Sequence, residues 1–111
     1  DLNHGKNYSK VIRDAISYIR DHLTENIRIE RLAEVAFLSR SQLSVRFREE
    51  TGMTITEYIR LQKIKKAQKF LTSTDKTPIE ISTYLGFSSQ SHFQKVFKDV
   101  TGMTPKEYRE K

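Results

Sequence analysis

"TGMTITEY" spans residues 51–58, and "TGMTPKEY" spans residues 101–108. Six of the eight letters agree across an offset of fifty residues. The letters are too varied for a low-complexity accident, so the flanking residues decide whether the phrase belongs to a larger repeated unit. They repeat too. Phe47 matches Phe97, Arg48 matches Lys98, Glu49 matches Asp99, Leu43 matches Phe93 and Ser41 matches Ser91 at the same offset. Further back the register slips to 49, where Leu32-Ala33 meets Ile81-Ser82, Leu38 meets Phe87 and Ser39 meets Ser88. The second copy thus carries one extra residue in the turn between its helices, where insertions are tolerated best.

Helix signals surround both copies. Ile12, Ala15, Ile16, Ile19 and Leu23 recur at spacings of three and four, giving one apolar helical face. "IERLAEVAF" (29–37) reads as a short apolar helix. Ser39 with Gln42 has the capping-box spacing, and it starts a helix whose Leu43 and Phe47 face inward and which Gly52 stops. Thr54 with Glu57 opens the longest helix, carrying Tyr58, Leu61, Ile64, Ala67 and Leu71. After the polar break "TSTDKT" (72–77), Thr77-Pro78-Ile79-Glu80 joins an N-cap, a proline at the first helical position and a capping-box glutamate. Gly86 ends that short helix. Ser89 caps the next, which holds Phe93, Phe97 and Val100 and ends at Gly102; Thr104-Pro105-Lys106-Glu107 starts the last.

The expectation is an all-α fold of about seven helices. A first helix-turn-helix covers about 29–52, a linker helix about 55–72 and a second helix-turn-helix about 78–102, within a domain over 8–111. The chain opens with Asp rather than Met, and residues 1–7, "DLNHGKN", are read as the remains of a linker in a longer protein.

Composition narrows the class. A chain of 111 residues suits one domain, or two small lobes sharing a core. With 36 % apolar residues, six Phe and five Tyr, it is too apolar for a disordered segment. Zero cysteine excludes disulfides, thiolate zinc sites and cysteine nucleophiles, and fits a reducing cytoplasm. No run approaches the roughly 18 apolar residues of a membrane span, so no membrane partner is expected. Net charge is +6, which raises the prior for an anionic partner. The excess is local: from Arg40 to Lys69, eight Lys/Arg stand against three Glu, a net of +5.

Each copy is a short apolar helix, a turn, and a helix with a polar outer face. Paired helical hairpins that merely pack together share this pattern, so the outer faces have to decide. With Leu43 and Phe47 inward, the first copy presents Arg40, Gln42, Ser44, Val45 and Arg48; with Phe93 and Phe97 inward, the second presents Ser89, Gln90, Ser91, His92, Gln94, Lys95 and Lys98. These side chains suit base edges and phosphates. Acidic residues stand only at the back of both helices, as Glu49, Glu50 and Asp99. A linker helix of roughly 17 residues spans about 25 Å, a scale that suits reading successive major-groove segments about 34 Å apart.

These residues resemble the DNA-binding domain of the AraC/XylS family of bacterial transcription regulators, over about Tyr8 to Arg109. The second half, "IEISTYLGFSSQSHFQKVFKDVTGMTPKEYR" (79–109), is the most specific, through Gly86-Phe87, Phe93, Phe97-Lys98, Gly102, Thr104-Pro105 and Tyr108-Arg109. "LAEVAFLSRSQLSVRFREETG" (32–52) and "YIRLQKIKKAQKFL" (58–71) fit the first reading helix and the linker helix. The resemblance implies two homeodomain-like helix-turn-helix lobes bridged by a long helix, double-stranded promoter DNA as partner, RNA polymerase as a further candidate partner, and activation as the commoner mode. By position it places base contacts on Ser41, Ser44 and Val45 in the first lobe, and on Gln90, Ser91, His92 and Lys95 in the second. It also implies an effector site in a separate domain. No extended apolar stripe offers a dimer interface, so the chain itself is expected to be monomeric, and dimerisation of a full-length protein is left to a missing domain.

The chain departs from the family at three positions. Val45 stands where a basic residue is common, Lys95 where arginine is common, and Phe37 where a glycine is common. Valine cannot donate to guanine, although it can touch a thymine methyl. Arg46 is next door, but helix phase sets it near the buried flank. The second lobe, or the flanking Arg40 and Gln42 of the first, is therefore expected to carry more base readout than the first lobe's usual position at Val45.

Competing readings are weaker. A protein-binding module, engaging polymerase or a sister subunit, shares the helical repeat but not the need for acid-free reading faces. An enzyme lacks support: no nucleophile with its base, carboxylate pair or phosphate-cradling loop stands out. His4 and His22 are isolated and expected to be exposed, no pair has zinc spacing, and neither a metal nor a cofactor is expected. Lys63, Lys65, Lys66 and Lys69 read mainly as a solvated face, with one or two touching phosphates. Phe47, Phe97, Tyr58 and Tyr108 read as core.

Overall fold

The computed structural model describes residues 7–111; His4 and all but the last residue of the expected linker remnant lie outside the described residues. Among the described residues there are seven helices and no strand: α1 (Lys10–Asp21), α2 (Ile29–Ala36), α3 (Arg40–Thr51), α4 (Ile55–Ser73), α5 (Pro78–Tyr84), α6 (Gln90–Thr101) and α7 (Pro105–Glu110). They form two compact units. One holds residues 7–22 and 27–55, and so α1 to α3; the other holds Leu23–Asn26 and Thr56–Lys111, and so nearly all of α4 with α5 to α7.

In the first unit, α1 packs on α2 and α3 through Ile12, Ala15, Ile16 and Ile19, which meet a face that includes Leu32, Ala36, Leu43 and Phe47. The apolar stripe of α1 stops one turn earlier than its periodicity suggests. The helix ends at Asp21, and Leu23 falls beyond it, half-buried in the second unit. His22 is also half-buried, not exposed as expected. Its ring stacks on Tyr18 with centroids 3.8 Å apart, and its Nδ1 lies 2.8 Å from the Tyr18 carbonyl. Spacing of four residues brings those two rings together.

The second unit is built around α4, whose 19 residues run about 28 Å. Ile64, Ala67 and Leu71 form a core with Ile81, Leu85, Phe93, Val96 and Phe97, flanked by Phe70, Phe87 and Tyr108. Val96, next to Phe97 and three residues from Phe93, fills the place expected of Val100, which is 43 % exposed in the last turn of α6.

The repeated phrase proves to be a stop and a start. The Thr51 hydroxyl donates to the Phe47 carbonyl at 2.7 Å and accepts from the Met53 N–H at 3.1 Å; Thr101 does the same for Phe97 and Met103 at 2.9 and 3.1 Å. Gly52 and Gly102 close α3 and α6 in the left-handed region at φ 78 and 81°. Thr104 and Glu107 then satisfy each other's backbone N–H groups at 3.1 and 2.9 Å, opening α7. From α7, Arg109 donates to the Leu71 and Thr74 carbonyls at 3.0 and 3.1 Å, capping the end of α4.

Lys63 corrects an expectation. It is not part of the solvated face of α4 but 5 % exposed, while Lys65, Lys66 and Lys69 are exposed. Its ammonium donates to the carbonyls of Leu23 (2.8 Å), Glu25 (2.7 Å) and Leu85. Three protons meet three acceptors, which is what burying an ammonium requires. Burial pushes the group down to about 8, against the attraction of the Glu25 carboxylate.

Candidate nucleic-acid interface

In the first unit, α2 ends with Phe37 in the left-handed region at φ 57°, and the Leu38 N–H returns to the Ala33 carbonyl at 3.0 Å. Ser39 then caps α3. Its hydroxyl accepts from the Gln42 N–H at 3.1 Å, and its own N–H donates to Gln42 Oε1 at 3.0 Å. This box sets the phase of α3, so that Leu43 and Phe47 are fully buried. Arg40, Ser41, Gln42, Val45 and Arg48 are exposed and Ser44 is half-buried.

Prior engagements limit what these groups offer. Gln42 has its oxygen committed to the cap, which leaves its amide nitrogen as a donor. Arg40 pairs with Glu30 at 2.9 Å across two well-exposed side chains, a bond weak enough to exchange for a phosphate. Arg46 is half-buried and leans to Glu50 at 3.5 Å, so it does not take Val45's place. Val45, 57 % exposed, lines a shallow concavity of about 420 Å³ with Leu38, Ser41, Gln42 and Arg46.

In the second unit the same construction recurs with different chemistry. Thr77 and Glu80 form a capping box that starts α5, and Gly86 supplies the left-handed residue at φ 74°. The Phe87 N–H returns to the Ser82 carbonyl at 3.1 Å, the counterpart of Leu38 on Ala33. The Ser89 hydroxyl caps α6 by accepting from the His92 N–H at 3.0 Å. Ser39 therefore corresponds to Ser89, not Ser88, and the extra residue lies between Gly86 and the cap.

On α6, Phe93, Val96 and Phe97 are buried, while Ser89, Ser91, Gln94, Lys95 and Lys98 are exposed. Gln90 and His92 are half-buried. Lys95 pairs with Asp99 at 2.9 Å with both side chains well exposed. The His92 ring sits edge-on to Phe87, with centroids 5.7 Å apart, and its Nδ1 is buried without a hydrogen-bond partner among the described residues.

Helix phase places Arg40, Ser41, Gln42, Val45, Arg48, Ser89, Ser91, Gln94, Lys95 and Lys98 on the exposed faces where they stand, whereas Ser44, Gln90 and His92 are half-buried. It missed Lys63 as a buried support, from α4, of the turn before α6. The signal was present, because Lys63 precedes Ala67 by four residues and Leu71 by eight, on the buried phase of α4.

A family model described as a helix-turn-helix domain matches residues 32–111. The chain belongs to this family, in its AraC-type branch. This AraC-type domain is 41 % identical over 96 residues to the xylose operon regulatory protein of Escherichia coli strain K12, covering 86 % of this chain. It spans only about a quarter of that regulator, 24 % of its length. The C-terminal domain of AraT, a response regulator from Geobacillus stearothermophilus, superposes with a TM-score of 0.91 at 28 % identity, covering 95 % of this chain and 88 % of that one. The DNA-binding domain of AdpA, a global transcriptional factor solved in complex with a target DNA, gives 0.86 at 28 % identity over 92 % of each chain.

Proposed function

We propose that this chain is the part of a bacterial transcription regulator that reads double-stranded promoter DNA, with α3 and α6 as its two reading helices in successive major-groove segments. One observation carries the reading. Each of two capped helices buries an apolar stripe ending in a phenylalanine (Leu43 and Phe47; Phe93 and Phe97) and presents an outer face rich in Ser, Gln and basic side chains whose front half holds no acid. The DNA held by AdpA, a neighbour at 28 % identity, supports the same partner for this chain.

In this reading Ser41, Gln42, Ser44, Val45, Gln90, Ser91, His92, Gln94 and Lys95 face bases, while Arg48, Ser89 and Lys98 serve phosphates; Arg40, exchanging its Glu30 partner for a phosphate, does so too in place of the base readout expected of it. Lys95 and His92 donate hydrogen bonds that Val45 cannot, so the second unit carries more of the discrimination. The site of action is the cytoplasm, the mode is activation through contact with RNA polymerase, and the chain alone is a monomer. No helix among the described residues is long and apolar enough to cross a membrane.

Selection from a random duplex library with this chain tests the reading, followed by titration of the winner against scrambled DNA at two salt concentrations. The expected result is a site of two short blocks about one helical turn apart, bound less tightly as salt rises. Lys95→Ala is expected to relax discrimination more than Ser44→Ala. If no site is enriched and binding is indifferent to salt, the helical repeat is a protein-binding module.

A further inference from the structure

We propose that Lys63 is a positioning residue for base readout by α6, acting through Phe87 on His92. The inference rests on the DNA reading above and assigns a role within it to a residue that touches no base. Four observations meet at the turn before α6. The Lys63 ammonium is tied to the carbonyls of Leu23, Glu25 and Leu85, so it joins the 23–26 segment and the end of α5 to α4. The same ammonium lies 5.6 Å from the centre of the Phe87 ring, on its face. Phe87 in turn meets His92 edge-to-face at 5.7 Å. His92 has no hydrogen bond at Nδ1 to orient its ring, that atom being buried without a partner among the described residues.

The last point gives the chain of contacts its consequence. Histidine side chains in binding sites are commonly oriented by a hydrogen bond at the second ring nitrogen. Here the aromatic contact with Phe87 replaces that bond. Phe87 also packs on Phe93, with centroids 5.1 Å apart, which holds it against the core from the other side. Gly86 lets the turn close, because a Cβ there would lie 2.8 Å from the Thr24 carbonyl oxygen. With the ammonium removed, three carbonyls lose their donor and Phe87 loses the charge on its face. The turn relaxes, and His92 no longer holds one orientation toward a base.

The test is a two-by-two comparison with this chain and the selected operator, read by fluorescence anisotropy. Lys63→Met, His92→Ala and their combination are measured on the operator and on versions altered one base pair at a time. Lys63→Met is expected to weaken operator binding about tenfold and to flatten preference only at the base pairs where His92→Ala flattens it. In the His92→Ala background the same substitution is expected to cost less than about threefold. Equal cost with and without His92, or an even loss across both blocks of the operator, overturns the proposal and leaves Lys63 a purely structural residue. So does a His92→Ala chain that binds the operator as well as the parent. If Lys63→Met does not fold by circular dichroism, Phe87→Leu enters the same comparison, and independence from His92 overturns the proposal there too. An operator that never emerges from selection removes the DNA reading itself, and this inference with it.

Discussion

Ser9 and Glu50, forty-one residues apart, meet through both oxygens of one carboxylate: the Ser9 N–H donates to Oε1 at 2.8 Å and its hydroxyl to Oε2 at 2.7 Å. Ser9 is the N-cap residue of α1, yet its own side chain caps nothing in that helix. The acid of α3 takes over, bringing a negative charge to the positive end of α1. Burial alone would raise the Glu50 carboxyl, but the two Ser9 bonds and Arg46 outweigh it and hold the group below its ordinary value of 4.5.

The sign of the pH dependence follows. A carboxyl depressed in the folded chain contributes stability that is present above the unfolded value and lost as pH falls through the folded one. Glu50→Gln is expected to lower stability by about 1 kcal/mol at neutral pH. Urea unfolding of both chains from pH 7 down through the carboxylate range should show the gap closing in acid. A gap that stays constant would mean the charge on Glu50 contributes nothing.

The three left-handed glycines among the described residues are not equivalent. A Cβ on Gly52 or Gly102 meets nothing within 4 Å, whereas one on Gly86 would lie 2.8 Å from the Thr24 oxygen and 2.9 Å from the Glu25 carbonyl carbon. Both of those atoms belong to backbone and cannot swing aside. Gly52→Ala and Gly102→Ala are expected to cost about 1 kcal/mol each, the penalty of a left-handed alanine. Gly86→Ala adds the clash, for roughly 3 kcal/mol in total. Equal melting temperatures for the three variants would argue against the close approach.

Phe37 holds the same conformation without being glycine, and its ring is 93 % exposed. Little burial is lost on removing it. Phe37→Gly exchanges a left-handed strain of roughly 1–2 kcal/mol for a backbone-entropy cost of about 0.5–1 kcal/mol. A gain of several tenths of a kcal/mol is the expected outcome, seen as a higher thermal midpoint. A lower midpoint would mean that the exposed ring makes a stabilising contact.

Local chemistry explains why so much of the fold could be read in advance. Ser39, Thr77, Ser89 and Thr104 all cap the helices they precede, because a cap needs only residues within three positions of itself. The outward faces of α3 and α6 follow from phase in the same way. What escaped the sequence depends on distant partners. Phase puts Lys63 on the buried side of α4, but what makes burying its ammonium tolerable, the carbonyls of Leu23, Glu25 and Leu85, is seen only once the fold brings them to it, and Arg40 looks free until α2 brings Glu30. Phase allowed both Val96 and Val100 in the core, and packing chose the first.

Val45 gives the sharpest test of what the first unit can read. Its isopropyl group neither donates nor accepts, and it lines the concavity beside Leu38, where Gln42 Oε1 is held by Ser39 and Arg46 leans toward Glu50. Of the base edges in the major groove, thymine alone offers a methyl. If α3 faces DNA, replacing dT by dU within the block that Ser44→Ala assigns to this unit should weaken binding at one position. One buried methyl corresponds to about 0.8 kcal/mol, or roughly fourfold in affinity. Val45→Ala should lessen that difference without unfolding α3, since alanine favours a helix more than valine does. Indifference to dU throughout the block would leave the first unit reading through Ser41, Gln42 and Ser44 alone.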